Sequence, residues 1–88
     1  MFNRVLIANR GEIACRIAET ARKIGLTTVG IFSEADINSK HVSLCDDVFL
    51  IEGSFPLECY LDQDKIIEIA IKSKAGAIHP GYGFLSEN

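Results

Sequence analysis

Apolar and polar positions along the chain fall into alternating blocks of two kinds. Residues 5–8 form an unbroken apolar run closed by Asn9-Arg10-Gly11, as suits a strand covered on both faces. Over 12–24, Ile13, Ala14, Ile17, Ala18, Ala21 and Ile24 recur at helical spacing with Arg16, Glu19, Thr20, Arg22 and Lys23 between them, and Gly25 supplies a stop. Residues 27–32 are β-branched and aromatic, which predicts a second strand, parallel to the first because a helix separates them. A short helix between 38 and 45 and a third strand over 47–51 follow. Residues 53–59, with Pro56, read as loop. A second amphipathic helix over 61–74 opens with Asp62 and Asp64, closes with Lys72 and Lys74, and offers Ile66, Ile67, Ala70 and Ile71 as its buried face. After Gly76, residues 77–79 make a short fourth strand that enters Pro80-Gly81-Tyr82-Gly83-Phe84, and Ser86-Glu87-Asn88 reads as the opening of a further helix.

Alternating strands and helices predict an α/β fold: an open parallel sheet with helices on both faces. In the strand order 3-2-1-4 the direction of travel reverses between the first and fourth strands, and ligands of such sheets sit beyond the strand carboxyl ends at that reversal. This places Asn9-Arg10-Gly11 beside His79-Pro80-Gly81-Tyr82-Gly83, so that two glycine-punctuated turns line one crevice.

The 88 residues, 48% hydrophobic and 24% charged, suffice for one modest globular domain. A net charge of −3 with scattered Lys and Arg gives no basic field for nucleic acid. Cys15, Cys45 and Cys59 form an odd set without a C-x-x-C pair, which fits reduced thiols and a cytoplasmic setting, or the mitochondrial matrix in a eukaryotic source. The run at 5–8, bounded by Arg4 and Arg10, is too short for a signal peptide or a membrane span.

The turn Asn9-Arg10-Gly11-Glu12-Ile13-Ala14 nearly matches a dinucleotide fingerprint, with Glu34 and Asp36 where a ribose-binding acid would stand. Against that reading, Glu12 puts a negative charge in the first helical turn, where it would repel a pyrophosphate. Gly11 then serves a sharp turn and Glu12 the helix start. His79 and the aromatic pair Tyr82 and Phe84 lie in a restricted loop, and two readings stand for them: a ligand-facing role, or a strand cap with aromatic packing against a neighbouring domain. Asp36-Ile37-Asn38 opens like a calcium loop, but Lys40 and His41 occupy positions a ligand and a glycine would need. Asp46-Asp47 reads as a solvated turn. Spacing alone yields no catalytic constellation and no metal site.

Two stretches are more specific. Residues 5–16, Val-Leu-Ile-Ala-Asn-Arg-Gly-Glu-Ile-Ala-Cys-Arg, and residues 77–88, Ala-Ile-His-Pro-Gly-Tyr-Gly-Phe-Leu-Ser-Glu-Asn, resemble signatures of the biotin carboxylases, which begin acetyl-CoA, propionyl-CoA, methylcrotonyl-CoA and pyruvate carboxylases. Ser33-Glu34-Ala35-Asp36, Lys40-His41-Val42 and Tyr60-Leu61 fall in the same register. One departure is Glu52-Gly53-Ser54-Phe55-Pro56, where many relatives carry Gly-Pro-Ala-Pro-Ser. Ala14-Cys15-Arg16 and Ser33-Glu34-Ala35-Asp36 look most like the methylcrotonyl-CoA and propionyl-CoA branch.

The resemblance implies a Rossmann-like domain placed before an ATP-grasp module. It implies a ligase in which ATP and bicarbonate, with magnesium or manganese, carboxylate biotin on a carrier. The nucleotide, metal and bicarbonate ligands of the family belong downstream of residue 88, so the segment alone is expected to bind no cofactor and to be inactive. Carried over by position, His79, Tyr82, Gly83 and Phe84 face the biotin cleft, with Tyr82 and Gly83 foremost, while Asn9, Arg10, Gly11 and Glu12 shape the crevice. Arg16, Glu19 and Lys23 are dimer candidates. Implied partners are a biotin carboxyl carrier, a carboxyltransferase subunit and a second copy of the enzyme, with neither nucleic acid nor membrane. The alternatives are a non-catalytic interaction module or truncated remnant, or a small NAD-binding domain resting on Asn9, Gly11, Ala14, Glu34 and Asp36.

Overall fold

A computed structural model of the protein describes residues 2–53 and 56–81. The strands are β1 (Arg4–Ile7), β2 (Thr27–Phe32), β3 (Asp47–Leu50) and β4 (Ala77–His79); the helices are α1 (Gly11–Lys23), α2 (Lys40–Leu44), α3 (Pro56–Leu61) and α4 (Gln63–Ser73), with a single 3₁₀ turn at Glu34–Asp36. All three strand pairings are parallel and the order is β3-β2-β1-β4. Leu6 stands between Val29 and Ile78, and Ile7 between Gly30 and His79.

Alternation along the inner strands divides the core. Leu6, Val29 and Ile31 point to one face and bury with Tyr60, Ile66, Ile69 and Ala70 of α3 and α4. Ile7 points to the other and packs on Ala14 and Ala18 of α1. Small alanines let α1 lie close against the sheet, and Gly30 fits the same economy, since a Cβ there would come 2.7 Å from the Cys45 sulfur.

Several expectations need correction. Residues 53–59 are not all loop, because Pro56 opens α3 as a first-turn proline, whose missing N–H has no helical partner to lose. The helix expected over 61–74 begins at Gln63, where Asp62 caps it by accepting the Lys65 N–H at 3.1 Å, and Leu61 ends α3 instead. Its buried stripe is Ile66, Ile69, Ala70 and Ser73, while Ile67 and Ile71 are 50% and 74% exposed. The five apolar residues of α4 span two adjacent stripes, each with helical spacing, and only the stripe facing the sheet is covered. Ile24 is likewise exposed, because α1 ends at Lys23 and leaves Ile24 as its cap. Asp46-Asp47 lies at the surface but is not merely solvated: Asp46 accepts the Thr28 N–H at 2.8 Å, and Asp47 pairs with Arg4 at 2.7 Å. The expected helix opening at 86–88 lies outside the described residues.

Candidate functional site

The crevice forms where β1 and β4 end side by side, with the Ala8 N–H donating to the His79 carbonyl at 2.9 Å. Asn9 is 1% exposed; its Nδ2 donates to the Pro80 carbonyl at 2.8 Å and its Oδ1 accepts the Arg10 N–H at 2.8 Å. One amide thus ties the two turns together, as the topology predicts. Gly81 closes the second turn by donating its N–H to His79 Nδ1 at 3.0 Å. Its φ is +67°, and a Cβ would meet Asn9 Nδ2 and Ile13 Cγ2, both at 2.9 Å. Both the dihedral and the space therefore require glycine there. Gly11 has φ +64° with open space around it, so only the dihedral selects glycine.

Arg10 does not reach freely into the crevice. Its Nε and Nη2 donate to both oxygens of the buried Asp36, at 2.6 and 2.5 Å. The Tyr60 hydroxyl donates to Asp36 Oδ2 at 2.9 Å and accepts the Ser33 N–H at 3.3 Å, and the guanidinium carbon lies 5.8 Å from the Tyr60 ring centroid. The charge-assisted bonds from Arg10 hold the Asp36 carboxyl below the ordinary carboxylate range, against the opposing effect of burial, and Tyr60 adds to the lowering. The same ion pair raises the Arg10 guanidinium. Burial, reinforced by the neighbouring carboxylate, pushes Tyr60 up to about 12. The phenol is therefore a neutral donor at physiological pH. Gly11 N–H, in turn, donates to Nδ1 of the buried His41 at 3.3 Å. Three consecutive residues of one turn are held by three different parts of the chain.

These bonds weaken the dinucleotide reading. Asp36, the acid placed for a ribose, is occupied by Arg10 and Tyr60, and the first N–H of α1 is occupied by His41. Glu12 stands in the first turn of α1 as expected. Asp36, His41 and Tyr60 are the site residues that residue-by-residue reasoning missed. From spacing Asp36 entered as a ribose or calcium ligand; the signal for all three was their place in the family register.

His79 is exposed and lies on the α1 side of β4. There, with Val5, Ile13, Arg16, Ile17 and Ile78, it lines an open groove of about 570 Å³. Arg16, Glu19 and Lys23 are exposed on α1. Tyr82, Gly83 and Phe84 lie outside the described residues. No disulfide joins Cys15, Cys45 and Cys59, and burial raises Cys15 and takes Cys45 to about 11, so neither of these two is an activated nucleophile. Among the described residues, no group of three His, Cys, Asp or Glu side chains could hold a metal ion, and no helix is long and apolar enough to cross a membrane.

Comparison with known proteins covers the whole chain. The family described as "Biotin carboxylase, N-terminal domain" matches residues 1–88. The alpha subunit of mitochondrial methylcrotonoyl-CoA carboxylase from Dictyostelium discoideum is 58% identical over 87 residues, 99% of this chain and 12% of that protein. A biotin carboxylase from Halalkalibacterium halodurans is 54% identical over 88 residues, all of this chain and 20% of that protein. Among solved structures, the biotin carboxylase domain dimer of Hydrogenobacter thermophilus 2-oxoglutarate carboxylase, in complex with MgADP, ADP and bicarbonate, superposes with a TM-score of 0.94 at 46% identity, covering 100% of this chain and 19% of that one. The chain thus spans no more than a fifth of the length of these relatives.

Proposed function

Because the chain belongs to the biotin carboxylase N-terminal domain family, we propose that it serves as the leading part of an ATP- and bicarbonate-dependent biotin carboxylase, within an acyl-CoA or 2-oxo-acid carboxylase. The observation that carries this reading is the match over residues 1–88, which includes both crevice turns. The share of these residues is architectural. Asn9 and Gly81 hold the two turns in register, and Arg10 is fixed against Asp36 and Tyr60, giving the cleft one stiff wall.

The described residues do not fit a nucleotide or its metal. The start of α1 carries Glu12, its first N–H is taken by His41, and no cluster of metal ligands exists among them. ATP, magnesium or manganese, and the groups that act on bicarbonate are therefore assigned to other parts of the protein. The residues assigned to meeting biotin on its carrier are Tyr82 and Gly83 foremost, with His79 and Phe84 after them. A carboxyltransferase then receives the carboxyl group. Arg16, Glu19 and Lys23, exposed with both signs of charge on α1, suit a homodimer contact.

The protein at its natural length is expected to fix labelled bicarbonate onto free biotin in an ATP-dependent manner, with Tyr82→Ala raising the biotin requirement more than the ATP requirement. Residues 1–88 alone should hydrolyse no ATP. Absence of ATP-dependent fixation by the natural-length protein would overturn the enzyme reading, and equal effects of Tyr82→Ala on both requirements would overturn the placement of biotin.

A further inference from the structure

We propose that His41 is the positioning residue of the crevice turn: a neutral imidazole, carried by α2, whose Nδ1 caps the start of α1 while its Nε2–H fastens it to β2. Its bearing on biotin presentation rests on the function proposed above. Its geometry does not.

The first amide groups of an α-helix have no partners within the helix, and a Ser, Thr, Asp or Asn side chain at the cap normally supplies one. Here the cap residue is Arg10, with φ −135° and ψ 172°, and its side chain makes no cap bond, being committed to Asp36. The Gly11 N–H finds its acceptor outside the helix, in His41 Nδ1 at 3.3 Å.

The other ring nitrogen settles the protonation state. Nε2 lies 2.9 Å from the Ile31 carbonyl oxygen, which can only accept, so Nε2 carries the hydrogen. Nδ1 then bears a lone pair, as the Gly11 N–H requires. A proton on both nitrogens would set two donors against each other at Gly11, and a proton moved to Nδ1 would lose both bonds. With 1% of the residue exposed, water cannot replace either partner. Helix α2 has only five residues, too few for stability of its own. It packs against α1 and β2, and His41 is its fully buried side chain. The imidazole thus couples the height of α1 to the sheet. That height decides whether Arg10 meets Asp36 and Asn9 meets Pro80.

The test uses the protein at its natural length and two variants, with readouts that involve no activity. His41→Leu removes both bonds, whereas His41→Gln keeps an acceptor and a donor on one amide that cannot become cationic. In the unaltered protein, the ¹⁵N spectrum of the His41 ring should show the Nε2–H tautomer at neutral pH. Hydrogen exchange of the amides at 11–14 should accelerate about fivefold or more in His41→Leu, as expected for loss of one hydrogen bond. The amides of Leu6 and Val29 should change less, and His41→Gln should restore most of the protection. A cationic or Nδ1–H imidazole, unchanged exchange at 11–14 in the Leu variant, or a Gln variant as unprotected as the Leu variant would each overturn the proposal. Should the Leu variant fail to fold, the ring spectrum and the Gln variant decide. Loss of biotin carboxylation as a function would leave all of these values in place.

Discussion

Asp36→Asn tests whether the crevice turn is held by charge. In the folded protein the carboxylate is 5% exposed and accepts two bonds from Arg10 and one from Tyr60. Asparagine keeps one acceptor oxygen but turns an NH₂ toward a guanidinium that can only donate. A hydrogen bond to a charged group contributes about 1.5–3 kcal/mol, and removing one partner of a buried pair costs about 3–5 kcal/mol. The Arg10 side chain is 40% exposed and can turn to water, which places the expected loss near the lower bound, about 2–3 kcal/mol at pH 7. Tyr60→Phe removes one bond to the same carboxylate and should cost about 1–2 kcal/mol, with a coupling of about 0.5 kcal/mol or more in the double variant. The sign of the pH dependence follows from the lowered Asp36 carboxyl. A depressed folded value means that the stabilisation is complete above the ordinary carboxylate range, near pH about 4, and disappears as pH falls below it through the folded value. Urea unfolding followed by circular dichroism should therefore show a gap between unaltered protein and Asp36→Asn that is full at pH 7 and narrows below about pH 4. A gap under about 0.5 kcal/mol at pH 7, or one of constant size down to pH 2, would refute the reasoning.

Two glycines of similar dihedral should respond unequally. Gly11→Ala meets only the left-handed backbone cost of about 1–2 kcal/mol, whereas Gly81→Ala adds contacts at 2.9 Å to Asn9 and Ile13 and should unfold at clearly lower urea; equal midpoints would contradict the packing at Gly81. On α4, Ile66→Ala should lose about 2–5 kcal/mol by opening the core, while Ile71→Ala, at a residue 74% exposed, should stay within about 0.5 kcal/mol. Thermal melts of the pair would expose any error in the stripe assignment.

What was legible in the residues followed from period and punctuation. The run at 5–8, the β-branched stretch at 27–32 and the helical spacing of α1 each had a single physical reading; the alternation of elements implied a parallel sheet, and the order 3-2-1-4 taken for it is the one observed. Proline at 56 was ambiguous, since the same residue breaks a helix interior and opens a first turn. The stripe on α4 was ambiguous because Ile67 and Ile71 satisfy the helical period as well as Ile66 and Ile69 do; the sheet, not the helix, chooses between them. Asn9 beside Pro80 followed from topology. The Arg10–Asp36–Tyr60 and Gly11–His41 links did not, since they join groups 24 to 30 positions apart through bonds that no local pattern encodes.

The central place of β1 has a consequence for synthesis. On one side this strand pairs with β2, close behind it in the chain; on the other it pairs with β4, and the Asn9–Pro80 bond spans 71 positions. Contacts of that separation form late, after the loop entropy of the intervening chain has been overcome. As the protein leaves the ribosome, residues 4–50 can assemble β1, β2 and β3 with α1 and α2, but the crevice has only one lip until residue 80 has emerged. Until then β1 presents an unpaired edge of backbone amides and carbonyls, open to another strand. The interval between those two stages is when this domain is most exposed to mispairing, and the time taken to make α3 and α4 sets its length.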